Sequence, residues 1–154
     1  MDIAPQLSLS VQNPARASNL PTRERIRKIL SAALTRPAEI TVRFAPLAEA
    51  QRLNSSYRGR DYATNILSFV YQCDQDKVAG DLVLCPEIVE EEAQAQKKAL
   101  AAHYAHLLVH GALHLQGWDH ENDADAERME AHERVLLAGL GIDDPYRMEA
   151  LTSP

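Results

Sequence analysis

His110-Gly111-Ala112-Leu113-His114-Leu115-Gln116-Gly117-Trp118-Asp119-His120 decides how the rest of this 154-residue chain is read. As the last turns of a helix, the stretch sets His110 and His114 four residues apart, one turn above the other on a single face. Two imidazoles at that spacing can grip one metal ion. Gly117 tolerates the left-handed conformation that ends a helix, so the chain can turn there and bring His120 back towards the same ion. Three neutral nitrogens leave the fourth position of a tetrahedral zinc open, which is the layout of a catalytic site rather than a structural one. His110, His114 and His120 are the expected ligands of one zinc per chain.

Working outward, His103 and His106 extend the same helical stripe, and by spacing alone His106 could replace His114 beside His110. The Gly117 turn brings His120 closest to His114 and favours the first set. His106 then belongs behind the ligands or in packing, and His103 at the solvated start of the helix. Asp119 either orients a ligand imidazole or caps the next helix. The spacing is also that of the metzincin peptidases, which carry Glu directly after the first His as the base that activates the zinc water. Here that position is Gly111, so the same metal scaffold is expected to carry different chemistry.

Composition bounds the rest. With 45% hydrophobic and 25% charged residues the chain reads as an ordinary globular protein, and its length suits one domain, 1–154, with 1–5 and 148–154 as loose tails. No run approaches the ~18 apolar residues of a membrane span, and the first residues lack a secretory pattern, so a cytoplasmic location is expected. Cys73 and Cys85 have no CxxC spacing and read as reduced thiols. A net charge of −6 argues against general nucleic-acid binding. Its distribution says more, because residues 1–60 carry net +6 and residues 119–154 net −7. Such a basic pole can steer a polyanion towards one face.

Leu7-Ser-Leu9-Ser-Val11 and Ile40-Thr-Val42-Arg-Phe44 alternate as half-buried strands do. Between them a helix opens at Pro21-Thr22 and stops before Pro37, with Ile26, Ile29, Leu30, Ala33 and Leu34 inward and Arg23, Arg25, Arg27 and Lys28 outward. The order predicts a right-handed βαβ unit with parallel pairing. Leu47 to Tyr57 reads as a short helix with Ala50, Leu53 and Tyr57 inward, ending in the basic turn Arg58-Gly59-Arg60. Ile66 to Tyr71 predicts a buried strand. A polar loop, Gln72 to Ala79, leads to Gly80-Asp81 and an antiparallel partner strand, Leu82 to Cys85. An acidic helix begins at Pro86. The metal helix spans about Lys98 to Gln116 and is apolar nearly all round, which places it centrally. A last helix from about Asp123 to Leu140 buries Ala126, Met129, Leu136 and Leu140. The expected fold is α/β (α+β-like), a small mixed four-stranded sheet packed with about five helices, the central one carrying the metal ligands.

Ala105-His106-Leu-Leu-Val-His110-Gly-Ala-Leu-His114-Leu-Gln-Gly-Trp-Asp-His120 closely resembles the signature of the YbeY family of bacterial endoribonucleases. Leu53-Asn-Ser-Ser-Tyr-Arg58-Gly, Thr64-Asn-Ile-Leu-Ser68-Phe69 and Gly80-Asp81-Leu agree with that family in the same order, so the resemblance runs from about Leu47 to Pro145. Trp118 stands where the family more often has Tyr. The resemblance implies a zinc-dependent, single-strand-specific endoribonuclease acting in ribosomal RNA processing (16S rRNA 3′-end maturation) and in ribosome quality control. It implies single-stranded ribosomal RNA as substrate, and the small ribosomal subunit with its assembly proteins as partners.

Arg58 matches an arginine the family treats as functionally important, and a planar guanidinium fork suits phosphate oxygens. Arg58 and His114 are the expected catalytic residues, Arg60 a backbone-phosphate contact, Ser68 part of the cleft lining and Asp81 a turn residue. No carboxylate occupies the sequence position of a general base. Either a zinc hydroxide attacks directly or the RNA 2′-hydroxyl does. Two other readings remain at this level. One is a metal hydrolase on peptide or small substrates, which Gly111 counts against. The other is a non-catalytic ribosome-assembly factor whose zinc is structural.

Overall fold

The computed structural model describes residues 6–60, 63–118 and 122–146. The elements run β1 (Leu7–Gln12), α1 (Arg23–Ala33), β2 (Ala38–Phe44), α2 (Leu47–Arg58), β3 (Ile66–Cys73), β4 (Val78–Leu84), α3 (Pro86–Ala95), α4 (Leu100–Leu115) and α5 (Asp123–Gly139). Four strands form one mixed sheet in the order β1-β2-β4-β3, which matches the expected α/β class. β1 pairs with β2 in parallel, from Leu7 opposite Ala38 to Gln12 opposite Arg43. β2 pairs in parallel with β4, and β4 turns back antiparallel on β3. The inner place beside β2 goes to β4, the strand buried at five of its seven positions. Half-polar β1 and β3 take the edges, where one flank meets water.

Both strands of the β3–β4 hairpin are longer than the sequence suggests. Half of the expected Gln72–Ala79 loop pairs, leaving Asp74 to Lys77 as a tight turn in which Asp74 Oδ1 accepts from the N–H groups of Asp76 and Lys77. Asp81 therefore lies inside β4 rather than in a turn, where it accepts a hydrogen bond from Tyr71 Oη. β3 is buried only near its start, and Val70 to Cys73 are exposed, because polar residues are tolerated on an edge strand that no helix covers there.

Thr22 caps α1 by accepting from the Arg25 N–H. Two arginines of the expected solvated face have other work. The Gln6 carbonyl pairs inward with Ala38, so the Leu7 and Leu9 carbonyls point to the open edge of the sheet. Arg27 and Arg23 donate to them at 2.7 and 2.5 Å, covering an edge that would otherwise invite another strand.

α4 packs on the sheet face that carries Ile40, Leu82 and Ile66, and Tyr104 meets Phe44 edge-on at 5.9 Å. Close approach there requires two glycines. A Cβ on Gly111 would sit 2.7 Å from Leu82 and 2.9 Å from Ile66, and one on Gly80 would sit 2.4 Å from the Phe69 carbonyl oxygen and 2.6 Å from Leu115. Backbone cannot yield as a side chain can. Gly80→Ala is therefore expected to cost about 1–3 kcal/mol in a urea melt, and more than Gly111→Ala, whose neighbours are side-chain tips. Equal costs at the two positions would contradict this.

The opposite sheet face is covered only in part, by α2, over a small cluster of Ala45, Leu67, Val83, Leu53 and Phe69. In α2 Ala50 and Asn54 are buried and Leu53 packs on that cluster as expected, while Tyr57, expected inward, is 69% exposed. Met129, Glu133 and Leu137 form the buried stripe of α5, and Ala126, Leu136 and Leu140 only flank it. Cys85 is buried and Cys73 exposed, both as free thiols. Among the described residues no helix is long and apolar enough to cross a membrane.

Candidate active-site cleft

From Ala102 to Leu115 every residue of α4 is buried except Ala102, His106, His110 and His114. An apolar helix thus keeps one stripe at i, i+4 spacing open, and that stripe is imidazole. It faces a cavity of about 270 Å³ whose walls include Arg58, Asn65, Ser68 and Tyr146. Arg58 is the last residue of α2, and Gly59 turns the chain there in the left-handed region at φ +66°. Ser68 comes from β3. A second cavity of about 440 Å³ shares Asn65, His106 and Tyr146 with the first and continues past Glu92 towards Lys97 and Lys98.

Geometry at the helix end fits a metal. The Nε2 atoms of His110 and His114 converge to 3.1 Å. Two nitrogens each about 2.0–2.1 Å from one tetrahedral zinc stand roughly 3.3 Å apart. His110 Nδ1 lies 2.8 Å from Glu133 Oε2, and a carboxylate can only accept, so the proton sits on Nδ1 and the Nε2 lone pair faces the cleft. Gly117, at φ +93°, ends α4 as expected, with the Trp118 N–H reaching back to the Leu113 carbonyl. His120 and Asp119 lie outside the described residues. Within those residues no group of three His, Cys, Asp or Glu side chains is set to hold one ion. The cap of the following helix belongs to Asn122, which accepts from the Asp125 N–H.

Sequence reasoning missed Glu133. It is fully buried at 0% exposure and stands at the centre of a hydrogen-bond chain. Tyr146 Oη donates to Glu133 Oε1 at 2.7 Å. With its one proton so used, Tyr146 accepts from His106 Nε2 at 3.2 Å, and that same nitrogen lies 3.5 Å from Glu133 Oε2. Burial pushes the Glu133 carboxyl up, but hydrogen bonds from His106, His110 and Tyr146 outweigh it and hold the group down to about 2. It is a carboxylate at neutral pH. The signal was available, since Glu133 stands on the i, i+4 stripe between Met129 and Leu137, where an apolar residue is the default.

His103 was misplaced. It stands near the start of α4 but is only 4% exposed, and its Nε2 lies 2.9 Å from Glu92 Oε1 of α3 rather than in solvent. Asn65 Nδ2 donates to both oxygens of Glu92 at 3.1 and 3.3 Å. This second carboxylate pins Asn65, and through it the start of β3, to α3. Burial raises the Glu92 carboxyl, and the bonds from His103 and Asn65 lower it further than burial raises it. Gly111 offers no room for the metzincin base, since any side chain there would enter Leu82 and Ile66.

Comparison with known proteins gives the chain's relatives. The family model described as Endoribonuclease YbeY matches residues 10–141. A protein of Cupriavidus metallidurans named Endoribonuclease YbeY is 52% identical over 147 residues, 93% of this chain and 75% of its own length. One of Paraburkholderia phymatum with the same name is 50% identical over 152 residues, 95% of this chain and 99% of its own. The solution structure of TM1509 from Thermotoga maritima has the same fold, with a TM-score of 0.56, 24% identity, and coverage of 90% of this chain and 98% of that one.

Proposed function

The chain belongs to the endoribonuclease YbeY family, and from that membership we propose a zinc-dependent, single-strand-specific endoribonuclease of the cytoplasm. Its substrate is ribosomal RNA, and its roles are maturation of the 16S rRNA 3′ end and ribosome quality control, in company with the small ribosomal subunit and its assembly proteins. One domain, 1–154, carries the activity. The observation that supports this most is the convergence of the two Nε2 atoms, with Arg58 and Ser68 lining the same cavity.

His110, His114 and His120 would hold the zinc, which supplies a water acidified to a pKa of about 7 or polarises a phosphoryl oxygen. The chain's own groups do the rest. Glu133 fixes His110 in the Nδ1-protonated form and keeps its other nitrogen unprotonated. Arg58 presents a planar fork to the non-bridging oxygens, where negative charge gathers as the phosphodiester reacts. Ser68 lines the cavity as a small donor that leaves room for a nucleotide.

Cleavage of a single-stranded ribosomal RNA fragment by purified protein tests this. Wild type is expected to cleave, to stop with chelator, and to recover with zinc, while His114→Ala stays inactive under all three conditions. Cleavage by His114→Ala equal to wild type would end the proposal. The same chelated sample bears on the structural-zinc alternative. α4 already sits in an apolar core with Tyr104, Leu108 and Leu113 fully buried, so metal removal is expected to leave far-UV circular dichroism unchanged. Unfolding on chelation would favour the structural role.

A further inference from the structure

Tyr57, Phe69 and Tyr71 make an aromatic surface outside the cleft, on the sheet face away from α4. Tyr57 is 69% exposed and meets Phe69 edge-on with ring centroids 5.2 Å apart. Tyr71 is 68% exposed, and its hydroxyl donates to Asp81 Oδ2 at 2.5 Å. Asp81 pairs in register with Phe69, which sets all three rings on one side of the sheet. Tyr71 is also the extra residue of a bulge between Val70 and Gln72, a device that re-aims a side chain. The bond to Asp81 pushes the phenol up to about 12, so the ring stays neutral. Large rings left in water at one place mark a contact surface.

Position says what the contact is. α2 sends Arg58 into the cleft and Tyr57, one residue earlier, onto the aromatic face. β3 sends Ser68 into the cleft and Phe69 to the other side. Among the described residues β3 pairs only with β4, so cleft and aromatic face are the two sides of one open strand edge. We propose that this face is a base-stacking site for single-stranded RNA, taking one or two bases of the strand as it leaves the cleft over the edge of β3, an inference that rests on the endoribonuclease reading above. Every base has a π face, so such a platform accepts any sequence. Phosphates run on the Arg58 side of the edge, away from the Asp81 carboxylate. A duplex keeps its bases paired inward and cannot use the platform, which gives the single-strand preference a structural source.

Fluorescence anisotropy with a labelled single-stranded RNA about twelve nucleotides long, kept intact as checked on a gel, tests the assignment. The same strand with abasic sugars at the outer positions serves as the second probe. The Tyr57→Leu, Tyr71→Leu double variant is expected to bind the normal strand about ten-fold more weakly than wild type. Wild type is expected to bind the abasic strand as weakly as the double variant binds the normal one. Equal affinity of wild type and variant for the normal strand would overturn the site and leave the face to a protein partner. Equal affinity of wild type for the normal and abasic strands would overturn it too, and needs no variant to fold. Wild-type cleavage of the normal strand judges the nuclease reading separately. Ring-dependent binding without cleavage would sink that reading and keep the site, and cleavage with ring-independent binding would do the reverse.

Discussion

Glu133→Gln is expected to weaken zinc binding ten- to hundred-fold while the protein stays folded. The carboxylate accepts from His110 Nδ1 on one oxygen and from Tyr146 Oη on the other. A glutamine of the same shape has one acceptor, so whichever oxygen is lost presents an N–H to a donor. Facing His110, that amide favours the imidazole with its proton on Nε2, the nitrogen that converges with His114. The lone pair a metal needs is then gone from half of the observed pair. Competition against a chromogenic chelator reads the affinity, and saturating zinc should restore most of the RNA cleavage. Unchanged zinc affinity would show that Glu133 is a packing residue only. Glu133→Ala answers a different question. It leaves His106, His110 and Tyr146 without their buried acceptor and is expected to cost about 1–3 kcal/mol in a urea melt. The glutamine variant separates the two roles because it keeps the volume.

How far the chain could be read in advance follows from what kind of signal each residue carries. The parallel β1–β2 pair around α1 and the antiparallel return of β3–β4 were legible, because alternation, a capping Thr22 and a short polar connection are local patterns. The apolar surround of α4 marked it as central, and the His110–His114 spacing marked its open stripe. What failed was everything that depends on partners distant in sequence. Tyr57 fits the inward period of α2 but projects past the part of the sheet that α2 covers. His103 falls on the histidine stripe by number, yet α3 stands beside it and supplies Glu92. Asp81 reads as turn chemistry next to glycine. Gly80 is there for a different reason, since the Phe69 carbonyl and Leu115 leave no space for a Cβ. Glu133 was hidden by its neighbours, being one acidic residue in an acidic helix, and only its place in the buried stripe distinguishes it.

Arg58→Ala is expected to lower kcat for single-stranded RNA by roughly 10²–10³ and to change KM much less. The split follows from when the charge matters. A phosphodiester carries one negative charge in the ground state and more as it reacts, so a fixed cation in the cavity wall gains most at the transition state. Arg58 lines the cavity that holds the His110–His114 pair, and it is exposed at the C-terminal end of α2, so its removal touches no core. Loss of a favourable charge at a helix C-terminus accounts for at most about 1 kcal/mol of stability. The melting temperature should therefore stay within a few degrees of wild type. Arg58→Lys discriminates further. A lysine keeps the charge but offers a single point rather than a planar fork, so only part of the rate should return. Full recovery with lysine would mean that charge alone is used. A rise in KM with kcat unchanged would instead make Arg58 a contact that holds RNA equally before and during reaction. The rate would then rest on the His110–His114 pair and the zinc proposed for it.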